Sequence, residues 1–464
     1  MHTYTAQFLA QACGGKLLAG SATARVSRIC TDSRQVQAGD AFFALCGDRF
    51  DGHDFLSEVV KRAAAVVIER QRTPALVGSA AVIVVGHTRQ ALGRLAAEHR
   101  GGFDLPLVAV GGSNGKTTTK EIVASVLRQK LVTLKSEASF NNDIGVPLTL
   151  LKLEKAHQVG VLEVGTNHPG ELEPLVNMIR PRFGIITSIG REHLEFFGNV
   201  EAVAREQSWV GQLLPAAGKL FLNGDSEWAG AIAQRTPATV VRLGLGGDNA
   251  WRATRVRPDK QGVTFQVETP DSEYAGEYRV NLVGRHQAIN ALFGIALGRE
   301  LGLNAAEIDL GLRECTAPKM RMEIWESNGV RILDDAYNAN ADSMAAALQT
   351  LQELPCKGRR VAVLGDMAEL GAHSEEAHRE VGRRVAELGI GQLFAVGKMA
   401  PLIARGAREA GLNRIFEFAD VEAAGLAIRQ FLKEGDLLLL KASRATRLER
   451  IGDMLRGTEG ARKN

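Results

Sequence analysis

A short apolar run, Leu107–Val110, ends in Gly111-Gly112-Ser113-Asn114-Gly115-Lys116-Thr117-Thr118, and a helical pattern begins near Thr117. Few architectures place a buried strand, a glycine turn and a helix start in that order. Backbone N–H groups of such a turn and the positive end of the helix dipole face one point, which suits an anion. The loop Gly112-Ser113-Asn114-Gly115 and the helix start through Thr118 would cradle a polyphosphate. Lys116 would reach the β- and γ-phosphates, and the Thr117 hydroxyl would ligate Mg²⁺. The longer form of the motif needs glycine five positions before Gly115, but Val110 stands there. The loop is therefore the shorter G-x-x-G-K-T. A glycine turn that merely caps a helix is the plainer alternative, and the placement between apolar strand and helix favours nucleotide binding.

The strand–turn–helix pattern recurs. Continuous apolar runs at Val159–Val164, Phe183–Ile189, Lys219–Leu222 and Val240–Leu243, with helical stretches between, imply a buried parallel sheet. Alternation at Val263–Val267 and Tyr278–Val283 suggests a small antiparallel patch, followed by a helix over Gln287–Leu301. Another α/β unit begins after Pro318, with strands at Val330–Leu333, Arg360–Leu364, Gln392–Val396 and Asp436–Leu440. Ahead of the phosphate loop lie Ala41–Leu45, Ala65–Ile68 and Ala81–Val85, a helix over Thr88–His99, and a linker at Gly101-Gly102-Phe103-Asp104. Two successive open α/β sheets behind an N-terminal module is the expected architecture. At roughly 100–200 residues per domain, 464 residues suit three domains.

Composition removes several function classes. Lys and Arg number 56 against 53 Asp and Glu, a net charge of +3, so nothing favours nucleic acid. No apolar run approaches the ~18 residues of a membrane-spanning helix. The start, MHTYTAQFLAQACGG, lacks the basic head and apolar core of a signal peptide. Cys13, Cys30, Cys46, Cys315 and Cys356 show no C-x-x-C spacing and read as reduced thiols. The expectation is a cytoplasmic, monomeric protein without stable membrane insertion.

Open parallel sheets bind ligands beyond the carboxyl ends of their strands. Glu163 stands near one such end, before Gly165-Thr166-Asn167-His168, and Gly190-Arg191-Glu192-His193 follows another. If both strands flank the phosphate-loop strand, Glu163 and His193 converge on the γ-phosphate side. A carboxylate suits Mg²⁺, which prefers oxygen ligands. An imidazole is a less usual Mg²⁺ ligand and could instead orient an acceptor. A solvated Glu and a surface His are the plainer readings of these two residues. Their shared position at strand ends favours function. The later unit has three polar strand ends: Asp334-Asp335-Ala336-Tyr337-Asn338-Ala339-Asn340, Gly365-Asp366-Met367-Ala368-Glu369-Leu370-Gly371 and Lys441-Ala442-Ser443-Arg444. Each could be a capped turn. Three on one rim favour a binding surface.

With these motifs on one chain, the sequence resembles the Mur ligases of peptidoglycan synthesis over nearly its whole length. The resemblance includes Thr31-Asp32-Ser33-Arg34, Gly39-Asp40 and Asp51-Gly52-His53-Asp54-Phe55. It continues through GGSNGKTT, Phe140-Asn141-Asn142 with Ile144-Gly145-Val146-Pro147, Glu163, DDAYNAN and GDMAELG. It implies an α/β fold of three domains. Residues 1–102 would bind the UDP-muramoyl peptide, residues 103–316 would form a P-loop ATPase domain with a mostly parallel sheet, and residues 317–464 would be Rossmann-like.

The resemblance also implies the reaction: with ATP and Mg²⁺, the carboxylate of UDP-N-acetylmuramoyl-tripeptide becomes an acyl phosphate. The amine of D-Ala-D-Ala attacks it, and phosphate leaves. Lys116, Glu163 and His193 are the implied catalytic residues, and Thr117, Glu163 and His193 the metal set. Asn290 would contact adenine, while Arg321 and Asp335 would hold ATP. Ser33, Arg34, Asn141 and Asn142 would bind the UDP-muramoyl substrate, and Ser443 and Arg444 would lie near the peptide or dipeptide. A folylpolyglutamate-synthase-like ligase and a non-catalytic nucleotide-binding scaffold are the alternatives. The TDSR and DGHDF module argues against the first.

One position departs from the family. A carbamylated lysine that usually follows the His193 motif falls here on Gln207, which is neutral and cannot be carbamylated. Its oxygen sits three bonds nearer the backbone and falls short by ~3–4 Å. Either the second metal relies on His193, substrate oxygens and water while Gln207 only hydrogen-bonds, or the chain is a nucleotide-binding relic. Intact Lys116, Thr117, Glu163 and His193 favour the first. Smaller departures are Gln287, Met320 and Ala442.

Overall fold

The computed structural model describes residues 3–47, 50–72 and 78–457. Met1, His2 and residues 458–464, at the outer limits of the expected first and third domains, lie outside the described residues. The chain forms two compact units. One comprises Met1–Ala109, Leu131–Thr166 and Leu172–Phe183, and the other Val110–Lys130, Asn167–Glu171 and Gly184–Asn464.

In the first unit, a five-stranded sheet runs in the order Lys16–Ala19, Ala81–Val85, Ala65–Glu69, Asp40–Phe43, Arg28–Cys30. All neighbours are parallel except the first pair. Phe43, Val67 and Ile83 pack on one face against Leu92 and Leu95 of the helix Thr88–Gly101. Phe42, Val66, Ile68 and Val82 pack on the other against Leu56, Val59 and Val60. Burial on both faces is why these strands read as unbroken apolar runs rather than alternating ones. The same unit pairs Thr133–Lys135 in parallel with Val159–Glu163.

In the second unit, Lys219–Asn223, Thr239–Gly244 and Trp251–Asp259 pair in parallel. Gly262–Glu268 and Gly276–Val280 then extend the last of these as an antiparallel meander. The meander was expected, but its first strand was not. Trp251–Asp259 carries Arg252, Arg255, Arg257 and Pro258, and its register shifts between Thr254 and Arg257. Arg255 sits there at φ 49°. Such a bulge breaks the period-two pattern that marks a strand.

A six-stranded sheet follows, in the order Glu323–Ser327, Val330–Asp334, Leu437–Lys441, Arg360–Gly365, Gln392–Val396, Ile415–Phe418. Only the Glu323–Ser327 pairing is antiparallel. Leu364, Leu393, Leu437 and Leu439 face Met344, Leu348 and Leu351, while Val363, Phe394, Leu438 and Leu440 face Ile428 and Ile451. Each such side chain contributes roughly 1.5–3 kcal/mol on burial. The two edge strands escaped the sequence reading because solvent reaches them and they carry Glu323, Glu326 and Glu417. DDAYNAN, GDMAELG and KASR all leave carboxyl ends of the central strands. Among the described residues no helix is long and apolar enough to cross a membrane.

Candidate active site

The phosphate loop takes the geometry its glycines permit. The helix Lys116–Leu127 starts after Gly115 at φ 83°, and Gly112 sits at φ 116°. A Cβ on Gly112 would lie 2.4 Å from Thr187 Oγ1, so both backbone angle and space demand glycine. Neighbouring chain braces the loop. Thr187 N donates to Gly111 O at 3.1 Å, and Ser113 N to Ser188 O at 2.8 Å. Asn114 N donates to Ser188 Oγ at 2.9 Å, and Ser113 Oγ accepts Gly190 N at 2.9 Å. Ser113 and Asn114 thus shape the cradle with their own polar groups.

Lys116 folds back over the loop. Its ammonium donates to Gly112 O at 2.5 Å and Ser113 O at 3.2 Å, and stands 3.5 Å from Glu192 Oε2. Thr117 Oγ1 is buried and has no hydrogen-bond partner among the described residues. A buried polar atom left unpaired costs about 1–3 kcal/mol, and a ligand at this oxygen removes that cost. The residues present therefore fit a hard cation beside the phosphates.

Gln207 is fully buried and uses both ends of its amide. Oε1 accepts Gly112 N at 2.7 Å, and Nε2 donates to Glu192 Oε1 at 3.1 Å. Gln207 is thus a hydrogen-bonding brace between the phosphate loop and Glu192. Sequence reasoning passed over Glu192, although it directly precedes His193 in the GREH turn. Its signal is burial at the end of a polar turn, which a single sequence does not reveal.

His193 holds φ 51° and its Nδ1 bonds the Glu369 carboxylate. Its Nε2 lies 3.9 Å from Glu192 Oε2. Asn290 lies against the loop, where a Cβ on Gly115 would meet its Oδ1 at 3.0 Å. Its Nδ2 donates to Gln287 Oε1 at 2.8 Å, so the Gln287 departure serves to hold Asn290. Asn340 Nδ2 donates to Asn114 Oδ1 at 3.0 Å, bringing DDAYNAN to the loop. The Arg191 backbone N–H and Nε bond Asp342 at 2.8 and 2.9 Å.

Of the remaining second-unit residues, Asp335, Arg321 and Arg444 are held by partners of their own. Asp335 accepts Lys441 Nζ at 2.5 Å and Met322 N at 3.1 Å. The Arg321 guanidinium stacks 4.2 Å over the Tyr337 ring. Ser443 Oγ is buried without a hydrogen-bond partner among the described residues, while Arg444 pairs with Glu449 at 3.1 Å.

Within the first unit, Glu163 is buried at its strand end and accepts Asn141 Nδ2 at 2.9 Å. Asn142 Oδ1 caps a turn, accepting Ile144 N at 3.2 Å and Gly145 N at 2.9 Å. Ser33 opens a short 3₁₀ turn capped by Asp32. The Arg34 guanidinium grips Asp32 at 2.9 and 2.8 Å and holds that carboxyl down at about 2.

Three family models match in sequence order: "Mur ligase family, catalytic domain" over residues 25–100, "Mur ligase middle domain" over 110–298 and "Mur ligase, glutamate ligase domain" over 320–444. The UDP-N-acetylmuramoyl-tripeptide–D-alanyl-D-alanine ligase of Escherichia coli (strain K12) is 35% identical over 432 residues, 91% of this chain and 92% of that protein. The crystal structure of MurF from Acinetobacter baumannii superposes with TM-score 0.89 at 32% identity, covering 98% of this chain and 99% of that one. MurF ligase from Thermotoga maritima, solved in complex with ADP, gives TM-score 0.81 at 28% identity over 93% of this chain and 98% of that one. The fold is accordingly three α/β domains with mostly parallel sheets.

Proposed function

The chain belongs to the Mur ligase family, and we propose from that premise that the residues around Gly112–Thr118 activate a peptide carboxylate with ATP. The protein is an ATP-dependent peptide ligase. It joins D-alanyl-D-alanine to UDP-N-acetylmuramoyl-tripeptide and forms the UDP-muramoyl-pentapeptide precursor of peptidoglycan. The observation that carries this reading is the 35% identity to a ligase of that name over nine-tenths of both chains.

Phosphoryl transfer from ATP to a carboxylate demands positioning and charge neutralisation above all. The first-turn N–H groups of the helix at Lys116–Thr118 have no intrahelical acceptors, so they are donors for phosphate oxygens. Gly112 N is spent on Gln207, and Ser113 and Asn114 set the cradle's shape. Lys116, now bonded to loop carbonyls, exchanges them for the β- and γ-phosphates. Thr117, Glu163 and His193 are the residues that would hold Mg²⁺, which supplies charge neutralisation on the phosphates. The tripeptide carboxylate becomes an acyl phosphate, the dipeptide amine adds to its carbonyl carbon, and phosphate departs.

Asn290, which lies against the loop, serves the adenine, with Arg321 ahead of the strand Glu323–Ser327 and Asp335 of DDAYNAN holding ATP. Ser33, Arg34, Asn141 and Asn142 serve the UDP-muramoyl substrate, and Ser443 and Arg444 the peptide end. Domain limits at 102/103 and 316/317 are supported by the gaps between the matched segments, 25–100, 110–298 and 320–444. A cytoplasmic monomer fits a chain acting on a soluble nucleotide precursor.

The test is direct. Purified protein given ATP, Mg²⁺, D-Ala-D-Ala and UDP-muramoyl-tripeptide, ending in diaminopimelate or in lysine, should yield the pentapeptide mass and ADP. Failure with both tripeptides overturns the reading.

A further inference from the structure

We propose that Glu369 is a positioning residue for His193, so that the GDMAELG loop completes the metal site of the phosphate-loop domain. The inference rests on the assignment of His193 as a metal ligand made above. His193 follows the strand ends beside the phosphate loop, whereas Glu369 comes from the six-stranded sheet 176 residues further along. The two meet twice. The Glu369 carboxylate bonds His193 Nδ1, and Glu195 N donates to Glu369 O at 3.0 Å.

Both residues hold left-handed backbone conformations, His193 at φ 51° and Glu369 at φ 60°. Neither is glycine, and L side chains rarely hold such conformations unless their surroundings impose them. The surroundings do so here. Gly371, at φ 52°, approaches so closely that a Cβ would lie 3.1 Å from Glu195 Cα. His378 Nε2 accepts Met367 N at 2.9 Å and pins the start of the loop. A purely adhesive contact would not need two strained partners, and Arg191 already supplies adhesion through Asp342 and Glu380.

The chemistry follows from the tautomer. A carboxylate accepting Nδ1–H fixes the imidazole with that proton in place and leaves the Nε2 lone pair for a cation. Such carboxylate–histidine pairs orient the ring and raise its basicity, and their loss costs typically 10–100-fold in metal affinity. Glu369 would not touch the metal.

The experiment is Mn²⁺ binding to the full chain with a non-hydrolysable ATP analogue, read as free Mn²⁺ by EPR. Glu369→Ala should weaken Mn²⁺ roughly 10–100-fold. Glu369→Asn should do the same while keeping the left-handed backbone, because Asn tolerates it and is too short to reach. Glu369→Gln retains an acceptor oxygen and should recover most of the affinity. Glu380→Gln loosens the Arg191 contact elsewhere on the same face and should leave Mn²⁺ affinity unchanged. Native affinity in folded Glu369→Ala and Glu369→Asn overturns the inference, as does equal weakening in Glu380→Gln. His193→Ala separates the two levels. If it too binds Mn²⁺ like the native chain, the metal assignment fails. If it alone weakens binding, only the role of Glu369 fails.

Discussion

Gln207 Oε1 accepts the Gly112 backbone N–H at 2.7 Å, and Gln207 Nε2 donates to Glu192 at 3.1 Å. One buried amide thus ties the helix Val200–Gln207 to the phosphate loop and to the carboxylate beside Lys116. Where relatives are expected to carry a carbamylated lysine, this chain has a neutral brace bonded to protein at both ends of its amide.

Gln207→Ala should therefore damage the loop itself. It orphans a buried N–H and one carboxylate bond, each worth about 1–3 kcal/mol. The expected result is a lower thermal midpoint and a KM for ATP raised roughly tenfold, by ~1.4 kcal/mol of lost binding. Native activity should be the same in bicarbonate-depleted and bicarbonate-supplemented buffer. A clear bicarbonate requirement would assign carbamylation to another lysine.

Lys116→Met keeps the apolar stem and removes the charge. Its two bonds to loop carbonyls go as well, but the brace by Thr187 and Ser188 remains. Loss of one preorganised electrostatic contact to the transferring phosphoryl group should lower kcat by about 10²–10³. Circular dichroism should stay native, and steady-state rates at saturating ATP read the effect.

Glu163→Gln tests the metal set from the first unit. The amide oxygen can still accept Asn141 Nδ2, so local structure should hold. Losing the charge should raise the Mg²⁺ concentration for half-maximal rate about tenfold. A Mg²⁺ titration at fixed ATP checks this, and an unchanged midpoint removes Glu163 from the set.

Asp334 carries a pH dependence. Burial pushes its carboxyl up to about 6, above the usual carboxylate range. The folded state therefore binds this proton more tightly than the unfolded chain. Its contribution is fully present below about pH 4 and is lost as pH rises through about 6, on the order of 3 kcal/mol at the limit. Asp334→Asn should gain thermal stability relative to the native chain between about pH 4.5 and pH 7.5. A constant difference across that range would count against the buried carboxyl.

Much of this was legible in the residues. The phosphate loop, the parallel runs and the strand-end motifs follow from glycine chemistry and two-sided burial, which leave marks in one sequence. The strand Trp251–Asp259 was not legible because its bulge breaks the alternation, nor were the edge strands with their charged, solvent-facing residues. Glu192, Glu369 and Asn340 were missed as site residues for another reason. Each acquires its role from a partner distant in the chain, such as Asn114 for Asn340. Asn142 shows the converse: its motif drew attention, and its side-chain oxygen caps a turn.

The most direct test of the central claim is inorganic phosphate release from ATP by the purified protein, with each substrate supplied alone and then together. The account predicts stoichiometric release, one phosphate per peptide bond, only when UDP-muramoyl-tripeptide and D-Ala-D-Ala are both present. Release that ignores either substrate, or none with both, would contradict it.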